Sequence, residues 1–199
     1  CFDSYLTKAY ASMIQHALVF IERECLSTGI RTTGSGTVIG YHGNENDGWL
    51  PIVVTAGHVV QKKSGAESRY RVSRFDWSDL AHPKASTLEF ETGVNDGRSP
   101  CAVSYIGPNK NHIDIGFLRC PKQCIDNEGF FRVGDDGKPT GGAATIESGP
   151  YWASEGTAVA WAGFPQIVQS IAQRPQPCFF QGCVSALLIR EEFQSYIID

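Results

Sequence analysis

Two short segments hold residue types that could do acid–base chemistry. The first is Thr55-Ala56-Gly57-His58-Val59-Val60. The apolar run Pro51–Val54 leads into two small residues and then a histidine, so His58 is expected to project from the rim of a strand. Imidazole as a side-chain type ionises close to neutrality, which suits a rim histidine to proton transfer. The second segment is Asn111-His112-Ile113-Asp114-Ile115-Gly116-Phe117-Leu118, where a carboxylate interrupts an apolar run. Burying that carboxylate is costly without hydrogen-bond partners. One use for it is to hold a histidine in one tautomer and to stabilise the imidazolium that forms. Each segment has a plainer reading as well: a histidine that packs or lies on the surface, and a strand that turns Asp114 to solvent by alternation.

The elements that must position these residues read as short strands. Ala17–Ile21, Gly34–Tyr41 and Trp49–Thr55 are β-rich, with the turn cluster His42 to Gly48 between the last two. Arg69–Ser73 and Thr87–Phe90 alternate polar with apolar, as half-solvated strands do. Ala102–Ile106 and Ile113–Leu118 follow. Residues 121–150 are rich in Gly and Pro and mark a boundary. Strands resume at Thr157–Ala162, Cys178–Leu188 and Ser195–Ile198. Only the N-terminus reads as helix: Ser4 can cap Tyr5 to Gln15, with Leu6, Ala9, Tyr10, Met13 and Ile14 on one face. Short strands punctuated by Gly, Asn and Asp predict an all-β barrel or sandwich.

Taken in order, the motifs resemble the trypsin-like serine peptidases, and more closely the bacterial branch that includes the HtrA-type proteases. Gly34-Ser35-Gly36-Thr37-Val38-Ile39 is similar to that branch's G-S-G strand, and Thr55-Ala56-Gly57-His58 to its histidine motif. Asp114-Ile115-Gly116-Phe117-Leu118 is similar to its Asp strand, and Gly163-Phe164-Pro165 to its G-[FY]-P turn. Gly182-Cys183-Val184-Ser185 is similar to its next strand, and Tyr196-Ile197-Ile198-Asp199 to the segment just before its nucleophile loop. The likeness covers residues 15–199, apart from the loop Lys62 to Gly97.

The resemblance implies two antiparallel β-barrels of the chymotrypsin-like type, with the second incomplete; the short N-terminal helix lies outside it. The chain then divides into that helix at 1–15, a first barrel with His58 and Asp114 at 16–133, and the first half of a second barrel at 134–199. The likeness implies a serine endopeptidase acting on polypeptide substrates. His58 is then the general base and acid, Asp114 its orienting partner, and no cofactor or metal is required. It also leans toward a secreted or periplasmic setting.

His58 and Asp114 are 56 residues apart, and 85 residues follow Asp114. The family's triad spans about 45 residues from His to Asp and about 93 from Asp to Ser. The G-[ND]-S-G-G-P motif does not occur. Ser35 precedes His58, Ser148 has Ile146 where the family has glycine, Ser185 and Ser195 lie in strands, and Cys178 and Cys183 lack the G-x-C-G context. The serine is therefore expected beyond residue 199. The start at Cys1 and the apolar end Tyr196–Asp199 suit a piece of a longer chain, expected to lack peptidase activity by itself. A catalytically inactive relative that serves as a protein-binding module is the alternative.

Composition narrows the classes. The chain has 199 residues, 17 Lys+Arg against 21 Asp+Glu, and a net charge of −4. That balance lacks the basic stripe and the pI above about 9 of a nucleic-acid binder. At 42% hydrophobic and 19% charged residues, it has too much apolar content for a disordered chain. No apolar run reaches the roughly 18 residues of a membrane-spanning helix. Seven cysteines leave three readings open: buried thiols, one or two disulfides, or a zinc site at Cys120, Cys124, Cys178 and Cys183, whose spacing is wider than zinc sites usually have. Trp152 and Trp161 are expected in the core, and His16, His42, His82 and His112 in structural or loop roles.

Overall fold

The computed structural model describes residues 17–44, 48–60, 67–76, 84–92, 102–106, 114–120, 132–133, 135–140, 154–172, 174–190 and 193–198. The expected helix Tyr5 to Gln15 and most of the Gly/Pro-rich stretch 121–150 lie outside the described residues, as does Trp152. Twelve strands appear among those described. β1 is Leu18–Cys25, β2 Arg31–Asn44, β3 Gly48–Thr55, β4 Ser68–Asp76, β5 Lys84–Glu91 and β6 Ala102–Ile106. β7 is Asp114–Arg119, β8 Arg132–Val133, β9 Pro139–Thr140, β10 Ala158–Gly163, β11 Cys178–Arg190 and β12 Phe193–Ile198. Two short helices, α1 (Gly57–Val60) and α2 (Gln166–Ala172), complete the description. The protein is all-β.

The strands form a seven-stranded sheet in the order β5-β4-β1-β2-β3-β7-β6, a three-stranded sheet β10-β11-β12 and the small ladder β8-β9. Every pairing is antiparallel. The edge strands of the large sheet, β5 and β6, are consecutive in the chain and are not paired with each other among the described residues.

The first half of β1, Leu18–Ile21, is buried on both faces, which is why it reads as an apolar run, whereas Glu22 to Cys25 are half-buried. Val19 and Ile21 enter the main core with Val38, Val53, Tyr70, Val72, Leu88, Phe90 and Leu118. Leu18 and Phe20 point the other way, onto Phe164 just after β10. β4 and β5 show the half-solvated alternation that their sequences predict. Tyr70 and Val72 pair with Phe90 and Leu88 on the inside, and the Tyr70 and Phe90 rings stack at 5.6 Å. On the outside Arg69 meets Glu91 at 2.8 Å and Arg71 meets Glu89 at 2.7 Å. These exposed ion pairs contribute little stability each. The buried face carries the energy, through apolar area removed from water.

β2 is longer than its sequence pattern suggests because it serves two partners. Arg31–Thr37 pair with β1 and Gly36–Asn44 with β3, and the register shifts between Val38 and Gly40. The pairing of Asn44 with Gly48 carries β2 and β3 further into the expected turn cluster His42 to Gly48 than the sequence pattern suggests. α2 is the element the strand pattern missed. Its first turn closes on Pro165, whose carbonyl accepts from Val168 N–H and Gln169 N–H. The Gln169 side chain returns to the Phe164 carbonyl at 2.7 Å.

Candidate active site

The register of β3 against β7 brings the two sequence-predicted residues together. Thr55, at the end of β3, pairs with Gly116, so Asp114 at the start of β7 lies beside the chain that leaves β3. That chain turns at once into α1, in which Val59 N–H bonds the Ala56 carbonyl at 3.0 Å. Val59 and Val60 are buried in the main core and anchor the turn. His58, between the anchored turn and solvent, has a side chain 61% exposed. The strand-rim expectation for His58 is thus refined: it stands on a helical turn directly after the strand.

His58 and Asp114 meet through two hydrogen bonds. His58 Nδ1 lies 2.5 Å from Asp114 Oδ2. The backbone N–H of His58 donates to Asp114 Oδ1 at 2.8 Å. Both carboxylate oxygens are therefore engaged by the same residue, which fixes the plane of the carboxyl group as well as the ring. An ionised carboxylate can only accept, so Asp114 selects the ring form with its proton on Nδ1, and in the neutral form of that tautomer Nε2 holds the lone pair. Nε2 has no hydrogen-bond partner among the described residues. The His58 side chain bonding Asp114 holds its carboxyl below the usual carboxylate range, partial burial opposes this, and the amides of His58 and Gly57 reinforce it.

Two glycines permit this approach. A Cβ on Gly57 would stand 2.8 Å from Asp114 Oδ1. A Cβ on Gly116 would meet Val60 Cγ2 at 2.3 Å and the Ala56 carbonyl oxygen at 3.1 Å. The small residues of T-A-G-H and D-I-G are thus required by the closeness of α1 to β7. On the core side, Tyr70 Oη donates to the Val60 carbonyl at 3.1 Å, and burial pushes the Tyr70 hydroxyl up to about 12. That bond satisfies the carbonyl of the last residue of the turn.

The serines and cysteines weighed as nucleophiles lie elsewhere. Ser35 Oγ accepts the Phe164 N–H at 2.6 Å. Ser185 is an exposed residue of β11 and Ser195 belongs to β12. Cys178 and Cys183 sit on β11 opposite Gly163 and Ala158. Ser148 lies outside the described residues. No serine or cysteine among the described residues bonds His58. Of the cysteines described, Cys120 is buried, Cys25 and Cys178 are half-buried and Cys183 is exposed. Cys124 is outside, and among the described residues no three His, Cys, Asp or Glu gather for a metal ion.

Trp161 corrects an expectation. It is exposed and stacks on Phe180 at 5.5 Å instead of filling a core. The reason is register: Trp161 pairs with Phe180 on the face of β10-β11 opposite the face near Phe164. A feature that reading motifs singly does not reveal is the joining of two of them. The Ser35 of G-S-G bonds the Phe164 of G-F-P across 129 residues. Both motifs are visible in the sequence, but nothing in either states that they touch.

No helix among the described residues is long and apolar enough to cross a membrane. No family model matches the chain, and no curated protein matches it.

Proposed function

We propose that this chain is part of a serine endopeptidase with the chymotrypsin-like two-barrel architecture, its first barrel at residues 16–133 and the start of its second at 134–199. The observation that carries the reading is the doubly bonded His58–Asp114 pair, formed between residues 56 apart by the β3–β7 register. An aspartate that accepts from both the ring and the backbone of one histidine leaves Nε2 as a base with a fixed direction. A contact between distant strands of the large sheet supports the barrel. In the flat strand order β4 lies three strands from β3, about 14 Å at ordinary strand spacing. Yet Tyr70 of β4 reaches Val60, on the α1 turn that follows β3, as a sheet curled round its core would allow.

In this reading the serine belongs to sequence that follows Asp199. His58 Nε2 takes the serine hydroxyl proton as its oxygen forms a bond to the substrate's peptide carbonyl carbon. Asp114 stabilises the imidazolium and remains ionised. The C–N bond then breaks as His58 returns the proton to the leaving amine. Water, deprotonated in turn by His58, attacks the acyl carbon; the C–O bond to the serine breaks as His58 gives the proton to the serine oxygen, which releases the acid and restores the enzyme. Backbone amides beside the serine would hold the oxyanion. The 199 residues alone then have no peptidase activity above background.

The test uses the full-length protein that contains this chain. A fluorophosphonate probe is expected to label one serine C-terminal to Asp199, and His58→Ala to abolish both labelling and hydrolysis of a casein substrate. Absence of labelling in a folded protein with the His58–Asp114 bond intact by NMR would reject the peptidase reading and favour a binding module built on the same fold. Peptidase turnover by residues 1–199 alone would reject the placement of the serine.

A further inference from the structure

We propose that Ser35 is a positioning residue that holds the β10-β11-β12 sheet in a set place against the His58 turn. The inference rests on the peptidase reading for its catalytic consequence and on geometry for the linkage itself.

Ser35 faces two ways. Its backbone carbonyl accepts the Thr55 hydroxyl at 2.6 Å, three residues before His58. Its own hydroxyl oxygen accepts the Phe164 N–H at 2.6 Å. One residue of β2 is thus bonded to the root of the catalytic turn and to the first residue after β10. The contact is tight from both sides, since a Cβ on Gly163 would stand 2.9 Å from Ser35 Oγ. The Phe164 ring is buried against Phe20 at 5.4 Å, edge to face, and lies 5.8 Å from Phe75. Ring packing alone allows sliding, whereas the short directional bond to Ser35 sets register. Phe20 is the cross-strand neighbour of Ser35, so the ring and the amide of Phe164 dock on one ladder position.

The link extends through hydrogen-bonded strands. β10 pairs with β11 from Ala158–Cys183 to Gly163–Cys178, and β11 pairs with β12 up to Ile198. Under the proposed function, the nucleophile follows β12. Ser35 would then fix the distance between two parts of the triad that lie on different sheets, and a misplacement of about 1 Å can cost about 100-fold in rate. Ser35 touches neither substrate nor reacting atoms in this scheme.

The experiment compares wild type, Ser35→Ala, Ser35→Thr and Gly163→Ala in the full-length protein. Two readouts are taken from each: amide hydrogen exchange at Phe164, and kcat and KM on a peptide substrate. Ser35→Ala is expected to speed exchange at Phe164 at least tenfold relative to the neighbouring strands, and to lower kcat by about 10- to 100-fold with KM within about twofold. Ser35→Thr, which keeps the hydroxyl, is expected to restore both. Gly163→Ala, which attacks the same contact from the other side, is expected to reproduce the loss. Unchanged Phe164 exchange in Ser35→Ala overturns the linkage. Faster exchange with unchanged kcat overturns the positioning role. Should the wild type show no turnover, the peptidase reading fails and the positioning role falls with it, while exchange at Phe164 still decides the linkage. Should Ser35→Ala not fold, Ser35→Thr and Gly163→Ala decide by the same two readouts.

Discussion

Replacing Asp114 by asparagine tests the core of the reading, because the structure dictates how the new side chain must sit. Asp114 now accepts two hydrogen bonds from His58, one from the backbone N–H at 2.8 Å and one from the ring at 2.5 Å. Asparagine offers one acceptor and one donor. The backbone N–H can only donate, so the asparagine oxygen must face it and the NH2 must face the ring. The reverse orientation sets donor against donor, at a cost of about 1–3 kcal/mol for an unsatisfied group, which favours the first by a factor of about 5 to 150. Nδ1 must then accept, and the ring proton moves to Nε2. A ring protonated on Nε2 cannot take a proton from a serine. The expected loss in kcat is about 10⁴-fold, or about 5.4 kcal/mol in the barrier, while the fold is retained because the site is partly exposed. Nitrogen-15 NMR of the imidazole in Asp114→Asn reports which ring nitrogen carries the proton, and needs no activity. A ring that stays protonated on Nδ1 would refute the orientation argument, and full activity in the full-length variant would refute the role of Asp114.

Three further outcomes follow from the same geometry. Gly116→Ala forces a methyl to within 2.3 Å of Val60 Cγ2 and against the Ala56 carbonyl, so urea unfolding is expected to show a loss of about 1–3 kcal/mol; a loss under about 0.5 kcal/mol would show that α1 yields freely. Asp114 is held below the ordinary carboxylate range, so its ionised form stabilises the native state above the unfolded pKa of about 3.9, and that contribution is lost as pH falls through the native value. The stability gap between wild type and Asp114→Asn is therefore expected to close on acidification, and a gap that widens below about pH 4 contradicts the assignment. The Cys25 thiol is lowered to about 7, chiefly by its hydrogen bond with the Ser27 hydroxyl and then by that with Thr28. At pH 7 its larger thiolate fraction, offset by weaker intrinsic nucleophilicity, gives alkylation about threefold faster than the same thiol in urea. Ser27→Ala is expected to remove most of that excess, and a rate profile with its midpoint above about 8.5 would rule the effect out.

Local sequence determined much of this protein. Alternation in Arg69–Ser73 and Thr87–Phe90 places Tyr70, Val72, Leu88 and Phe90 inside without reference to anything distant, because strand geometry sends successive side chains to opposite faces. The run Leu18–Ile21 announces a strand buried on both sides. His58 and Asp114 are legible as candidates because each is a polar group set in an apolar run, His58 directly after Gly57 and Asp114 two residues before Gly116. What sequence leaves open is every relation between segments. Trp161 reads as a core residue by type and is exposed because its register on β11 turns it away from Phe164. α2 is missed because a short helix held by Pro165 and Gln169 has too few turns to show a period. The pairing of His58 with Asp114 and of Ser35 with Phe164 was decided only by tertiary structure. A hydrogen bond depends on position and direction to within tenths of an ångström, and these are set by the β3–β7 and β1–β2 registers and by the docking of β10, none of which is a property of residues near one another in the chain.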